Sequence, residues 1–115
     1  MNPPHMSLSK EAGSLVFISG QLPLDSDFKI PDNSIYGQTS QVLKNIAAVL
    51  SANGLDASNI VKTTVWLRNE ADFPQFNESY AAFFGDHKPA RSTVISNLVL
   101  SQALVEIEAI AVRPT

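Results

Sequence analysis

The sequence has no cysteine, so disulfides, thiolate metal sites and a cysteine nucleophile are excluded. It has two histidines, His5 and His87, too far apart for ligand spacing, so no metal site is expected. It has no run of Lys or Arg, and its net charge is -3, which argues against a nucleic-acid surface. No apolar run approaches the roughly 20 residues needed to span a bilayer. Met1-Asn2-Pro3-Pro4-His5 lacks the basic and apolar regions of a secretory signal, so the expected compartment is the cytoplasm. No glycine-rich phosphate loop and no Gly-x-Ser-x-Gly elbow is present, which leaves Ser19 a weak nucleophile candidate.

What is present fits one small domain spanning 1–115, with no linker and no strong repeat. Apolar residues make up 44% and charged residues 17%. So little charge on a small domain leaves apolar surface to hide, which favours an oligomer. Residues 1–6, with two prolines, read as an extended arm. Ser7 to Lys10 reads as a short strand before the Gly13-Ser14 turn. Leu15 to Ile18 reads as a strand buried on both faces and ending at Ser19-Gly20. Pro23 to Asn33 reads as a loop with a stub of strand near Phe28 to Ile30.

The first helix is expected over Ile35–Ala52, with Val42, Ile46, Val49 and Leu50 on its apolar stripe. Gln38, Gln41, Lys44 and Asn45 fall largely on the other side, and Asn53-Gly54 closes the helix. Ile60 to Leu67 alternates as a strand, with Val61, Thr63, Val65 and Leu67 on one face. Asp72 is the expected cap of a second helix, with Pro74 in its first turn. Phe73, Phe76, Tyr80, Phe83 and Phe84 form an aromatic stripe read as core. The order predicts an α+β fold, two helices packed on one face of a mixed sheet. The other face then needs cover, most simply from another subunit.

Two stretches carry chemistry. Lys88-Pro89-Ala90-Arg91-Ser92-Thr93-Val94-Ile95 puts one arginine at the entrance to a β-prone run. Its planar fork of donors can hold a carboxylate with two parallel hydrogen bonds; a surface salt bridge is the plainer reading. Val105-Glu106-Ile107-Glu108-Ala109-Ile110-Ala111-Val112 puts two carboxylates on one face of an apolar strand. That face must meet a solvated cleft, a cation or a subunit boundary, because a buried unpaired carboxylate is costly. Together they suggest a carboxylate pocket that also handles a proton.

These stretches, with Leu15-Val16-Phe17-Ile18-Ser19-Gly20-Gln21-Leu22-Pro23, Gln41-Val42-Leu43-Lys44-Asn45-Ile46 and Val61-Lys62-Thr63-Thr64-Val65, resemble the RidA/YjgF family, also called endoribonuclease L-PSP. The resemblance runs from about residue 7 onward. It implies a chorismate-mutase-like fold assembled as a homotrimer with three clefts between subunits. For the deaminase branch it implies hydrolysis of enamines and imines, such as 2-aminoacrylate, to 2-keto acids and ammonia, with no cofactor and no metal. Carried over by position, Arg91 would bind the substrate carboxylate and Glu106 would hold or activate water. Ser19, Gly20, Thr93 and Met6 would line the cleft.

Two positions depart from the pattern. Met6 stands where that branch usually has a tyrosine, and it cannot donate an O–H. Thr93 stands where cysteine is common. A non-catalytic module binding small carboxylates such as 2-keto acids is the alternative implied by Met6. Ribonuclease activity is disfavoured by the acidic balance.

Overall fold

The first reversal of the chain falls at Gly13, whose φ of +60° is a left-handed conformation that glycine adopts freely. It folds β1 (Ser9–Ala12) back antiparallel on β2 (Leu15–Gln21). This computed structural model describes residues 4–115. Of the expected arm, residues 1–3 lie outside the described residues, and residues 4–6 are exposed and neither helical nor stranded.

After β2 come α1 (Ile35–Ala52), β3 (Ile60–Leu67), α2 (Phe73–Phe84), β4 (Ala90–Ile95) and β5 (Val105–Val112). One five-stranded sheet results, in the order β1-β2-β5-β3-β4. Only the β3–β4 pair is parallel; the other pairs are antiparallel, so the sheet is mixed. Both helices cover one face. Val16, Ile18, Val65, Leu67, Val105 and Ile107 from the strands meet Val42, Leu43, Ile46 and Leu50 of α1 in a single core. Burying each such side chain contributes roughly 1.5–3 kcal/mol.

Helix α1 starts where the Ser34 hydroxyl accepts the Gly37 N–H at 3.0 Å. It ends at Asn53, followed by Gly54 at φ +72°. Helix α2 carries Pro74 in its first turn, where the missing N–H does no harm. Phe76, Tyr80 and Phe84 of its stripe are buried, whereas Phe73 is 40% exposed.

Several expectations are corrected. Strand β1 sits two residues later than predicted, at Ser9–Ala12. Strand β2 continues through Ser19-Gly20 to Gln21, with a bulge between Ile18 and Gln21. It is covered on one face only, because Phe17 is 40% exposed on the side away from the helices. No strand forms near Phe28–Ile30. Instead the Asp25 carboxylate accepts the Asp27 and Lys29 N–H groups, knitting a tight loop with Phe28 at φ +58°. A bulge between Ile60 and Lys62 in β3 turns Ile60 into the core and leaves Val61 exposed, reversing the predicted alternation there. Asp72 occupies the N-cap position of α2, but its side chain makes no capping hydrogen bond.

Gln38, expected on the polar side of α1, is 1% exposed. Its amide donates to the Asp32 and Gln102 carbonyls, both at 3.1 Å, and accepts the Leu104 N–H at 2.7 Å. From below the same loop, Arg68 donates to the Ala103 carbonyl at 2.9 Å and the Leu100 carbonyl at 2.8 Å. These two side chains fix the connection between β4 and β5, and so the entry into the strand that carries Glu106. No helix is long and apolar enough to cross a membrane among the described residues.

Candidate functional site

Arg91 lies on the edge strand β4, in register with Thr63 of β3. Thr63 is fully buried beneath the helices, so its neighbour Arg91 also points to the helix face. There its guanidinium carbon sits 5.8, 5.3 and 4.9 Å from the ring centroids of Phe73, Phe76 and Tyr80. The Tyr80 hydroxyl is hydrogen-bonded to the Thr63 hydroxyl at 2.7 Å. Burial pushes the Tyr80 phenol above its ordinary range, opposed by that hydrogen bond and by the nearby charge of Arg91. Among the described residues, the ion pair present is Arg113 with Glu11, so Arg91 faces no carboxylate there. Thr93, two residues along, is half-buried on the same face.

Glu106 lies on β5, the central strand, in register with Trp66. Its neighbours Val105 and Ile107 are fully buried under the helices, so Glu106 points to the opposite, open face. Glu108 follows it there. Burial first, and then the like charge of Glu108, push the Glu106 carboxyl above the ordinary glutamate range. The carboxyl occupies the space that a Cβ at Gly20 would need. Gly20 is thus a close-approach glycine: its bare backbone lets the β2 bulge pack against Glu106.

The expected site residues fall into separate groups. Gly20 touches Glu106, and it also borders a cleft of about 560 Å³ with Met6, Leu22, Leu24, Lys44 and Asn45. Met6 is 51% exposed at the rim. Ser19 donates its hydroxyl to the Ser7 carbonyl at 2.6 Å and lines a second hollow with Glu108 and Lys10. Arg91 and Thr93 stand apart from all of these. Strand β3 lies between Arg91 and Glu106, so across the sheet they are offset by two strand spacings, about 10 Å. Their partners on β3 are three residues apart, and their side chains leave by opposite faces. Within one chain, therefore, the two groups assigned to chemistry do not share a pocket.

Sequence reasoning did not connect the aromatic stripe or Thr63 with Arg91. The helical spacing of Phe73, Phe76 and Tyr80 was visible, but the parallel pairing of β3 with β4 that brings Arg91 over them was not. No group of three or more potential ligands among His, Asp and Glu is close enough to hold a metal ion among the described residues.

The sequence model of the family described as endoribonuclease L-PSP matches residues 4–113. The RutC family protein PH0854 of Pyrococcus horikoshii is 43% identical over 104 residues, covering 90% of this chain and 82% of that protein. The 2-iminobutanoate/2-iminopropanoate deaminase of Salmonella typhimurium is 41% identical over 106 residues, covering 90% and 83%. Among solved structures, E. coli TdcF with bound serine superposes with a TM-score of 0.89 at 36% identity, covering 99% of this chain and 91% of that one. Its likeness, with the two helices on a mixed five-stranded sheet, establishes the chorismate-mutase-like fold. Match, identity and fold agree: the chain belongs to the RidA/YjgF family, described as endoribonuclease L-PSP.

Proposed function

We propose that this chain is a cytoplasmic deaminase of the 2-iminobutanoate/2-iminopropanoate type, hydrolysing reactive imines that bear a carboxylate. The observation that carries this reading is Arg91, a half-buried cation that meets aromatic rings and no carboxylate among the described residues. Such a group is suited to a ligand carboxylate, which its fork binds through two charge-assisted hydrogen bonds. The Salmonella relative named as a deaminase supports the reaction class, and serine bound to TdcF supports a small amino-acid-like ligand.

Water adds to the electrophilic carbon of the C=N bond. One water proton moves to nitrogen, the resulting carbinolamine loses ammonia, and the C=O of a 2-keto acid forms. Glu106, made a stronger base than an ordinary glutamate by its burial and by the charge of Glu108, takes a proton from water as the carboxylate and returns it to the departing amine. Anchoring the carboxylate and placing the water supplies the rest by proximity. Gly20 sets the position of Glu106. In this reading the rest of the lining comes from Ser19 and Met6 of the chain that supplies Glu106 and from Thr93 of the chain that supplies Arg91.

Because Arg91 and Glu106 leave the sheet by opposite faces, the reading requires that one subunit supply the arginine and its neighbour the glutamate. A homotrimer with three clefts between subunits meets that requirement, and it covers the open face bearing Phe17, Trp66 and Ile110.

The test is the decay rate of enzymatically generated 2-aminoacrylate and of bulkier imino acids, with wild type and with Arg91→Ala. Acceleration by the wild type that disappears in the variant is the expected result. Met6, which brings no hydroxyl to the cleft, favours a second reading, a module that binds 2-keto acids without turning over imines. Tight 2-keto acid binding with unchanged imine lifetime would select it.

A further inference from the structure

We infer that Phe73, Phe76 and Tyr80 form a cradle that positions the Arg91 guanidinium for a carboxylate, holding the cation by its π-contacts and leaving its N–H donors for the ligand. This rests on the reading of Arg91 as the carboxylate anchor and assigns positioning roles to three residues of α2.

All three ring centroids lie within 6 Å of the guanidinium carbon, at 5.8, 5.3 and 4.9 Å, the range in which a ring face attracts a cation. The rings also support one another. Phe73 and Phe76 stack at 6.5 Å, and Phe76 meets Tyr80 at 5.4 Å with a tilt of 43°. The Tyr80 hydroxyl is tied to Thr63, the residue beside Arg91 in the sheet. That bond locks the ring to the strand register that places Arg91, and it keeps the phenol oxygen engaged with Thr63. A protein carboxylate at this position would orient the guanidinium too, but it would occupy the donors and compete with a ligand carboxylate. Aromatic faces orient the cation without doing either.

The spacing fits the purpose. Residues 73, 76 and 80 follow one another by three and four, so one face of α2 delivers all three rings to one point on β4. Phe76 is fully buried and Tyr80 nearly so, which fixes the inner rings by packing, while Phe73 is 40% exposed and closes the outer side.

The experiment uses Phe76→Leu, Tyr80→Leu and Tyr80→Phe, with the more exposed Phe73→Leu as the variant least able to disturb the core. Binding of 2-oxobutanoate is measured by calorimetry, and hydrolysis of 2-iminobutanoate by steady-state kinetics. The Arg91 Nε–Hε NMR signal, identified by its loss in Arg91→Ala, is recorded without ligand. Removing a ring should raise Kd and KM about three- to tenfold with kcat changed by less than about twofold. The Arg91 signal should lose its ring-current shift in step. Tyr80→Phe, which keeps the ring, should stay closer to wild type than Tyr80→Leu. In an Arg91→Ala background the ring variants should have no further effect on binding.

Folded variants that bind 2-oxobutanoate as the wild type does, with the Arg91 signal unmoved, would overturn the cradle and leave the carboxylate reading standing. A wild-type Arg91 signal that is ring-shifted, in a protein that binds no 2-keto acid, would overturn the carboxylate reading and leave the cradle geometry standing.

Discussion

Arg91 and Glu106 leave the same sheet by opposite faces. Arg91 points into the helix layer from edge strand β4, and Glu106 points away from it on central strand β5. Side-chain alternation along paired strands makes this unavoidable once the register is set. A reaction that needs both must therefore draw them from two chains.

This gives the first prediction. Arg91→Ala and Glu106→Gln should each be inactive on imines as pure proteins. Co-assembled in equal amounts, they should regain about a quarter of wild-type activity, the share of inter-subunit sites that receive both intact groups by random assembly. A mixture as inactive as its parents would show that no site is shared between subunits in this way.

Gly20→Ala separates a site role from a fold role. The φ at Gly20 is not left-handed, so alanine is tolerated by the backbone, but its Cβ would overlap the Glu106 carboxyl. The far end of a glutamate can swing aside at small cost. The variant should fold within about 1 kcal/mol of wild type while losing about 10- to 100-fold in kcat/KM for imine hydrolysis. Thermal melts and kinetics on one preparation give both numbers.

Glu106 makes a prediction about pH. Its folded pKa is raised, first by burial and then by Glu108. A raised carboxyl favours the fold while protonated. That contribution is fully present below the ordinary glutamate pKa and is lost as pH rises through the folded value. Glu106→Gln, which cannot ionise, should therefore melt above wild type near neutral pH, by no more than about 1 kcal/mol after solvent screening. The gap should close near pH 4 (about the ordinary glutamate value). Melting curves across that range would show it, and a gap that widened toward acid would contradict the sign.

Gln38→Leu tests the clamp over the β4–β5 connection. The substitution leaves the half-buried Leu104 N–H without its acceptor and the Asp32 and Gln102 carbonyls without their donor. The cost should be roughly 2–4 kcal/mol, read from urea unfolding. Lys44→Leu on the outer part of the same helix, exposed beside the cleft, should change stability by less than about 1 kcal/mol.

Much of the fold was legible because local patterns specify it. The 3.6-residue stripe marked α1 at Ile35–Ala52, and the alternation marked β3 at Ile60–Leu67 and β5 at Val105–Val112, all at the observed limits. The Pro-Ala-Arg-Ser and Glu-Ile-Glu-Ala segments carry the family resemblance within the sequence itself. Local patterns fail where a distant partner decides. Gln38 looks polar on its own helix and is buried only because the loop before β5 folds over it. Ile60 and Val61 exchange faces because a bulge against β5 inserts one residue into the pairing. The Phe28 segment has strand-like composition, but the Asp25 side chain captures its backbone N–H groups in a turn.

The same division runs through the candidate site. By itself the sequence determined the chemical groups: a forked cation, two carboxylates on one strand face, a glycine and an aromatic stripe. Tertiary structure alone decided their company. Parallel pairing of β3 with β4 set Arg91 over Phe73, Phe76 and Tyr80, and antiparallel pairing of β2 with β5 set Gly20 against Glu106. Residue chemistry is a local property of the chain, whereas strand order and register are set by contacts between segments far apart along it, and only those contacts choose the face from which each group acts.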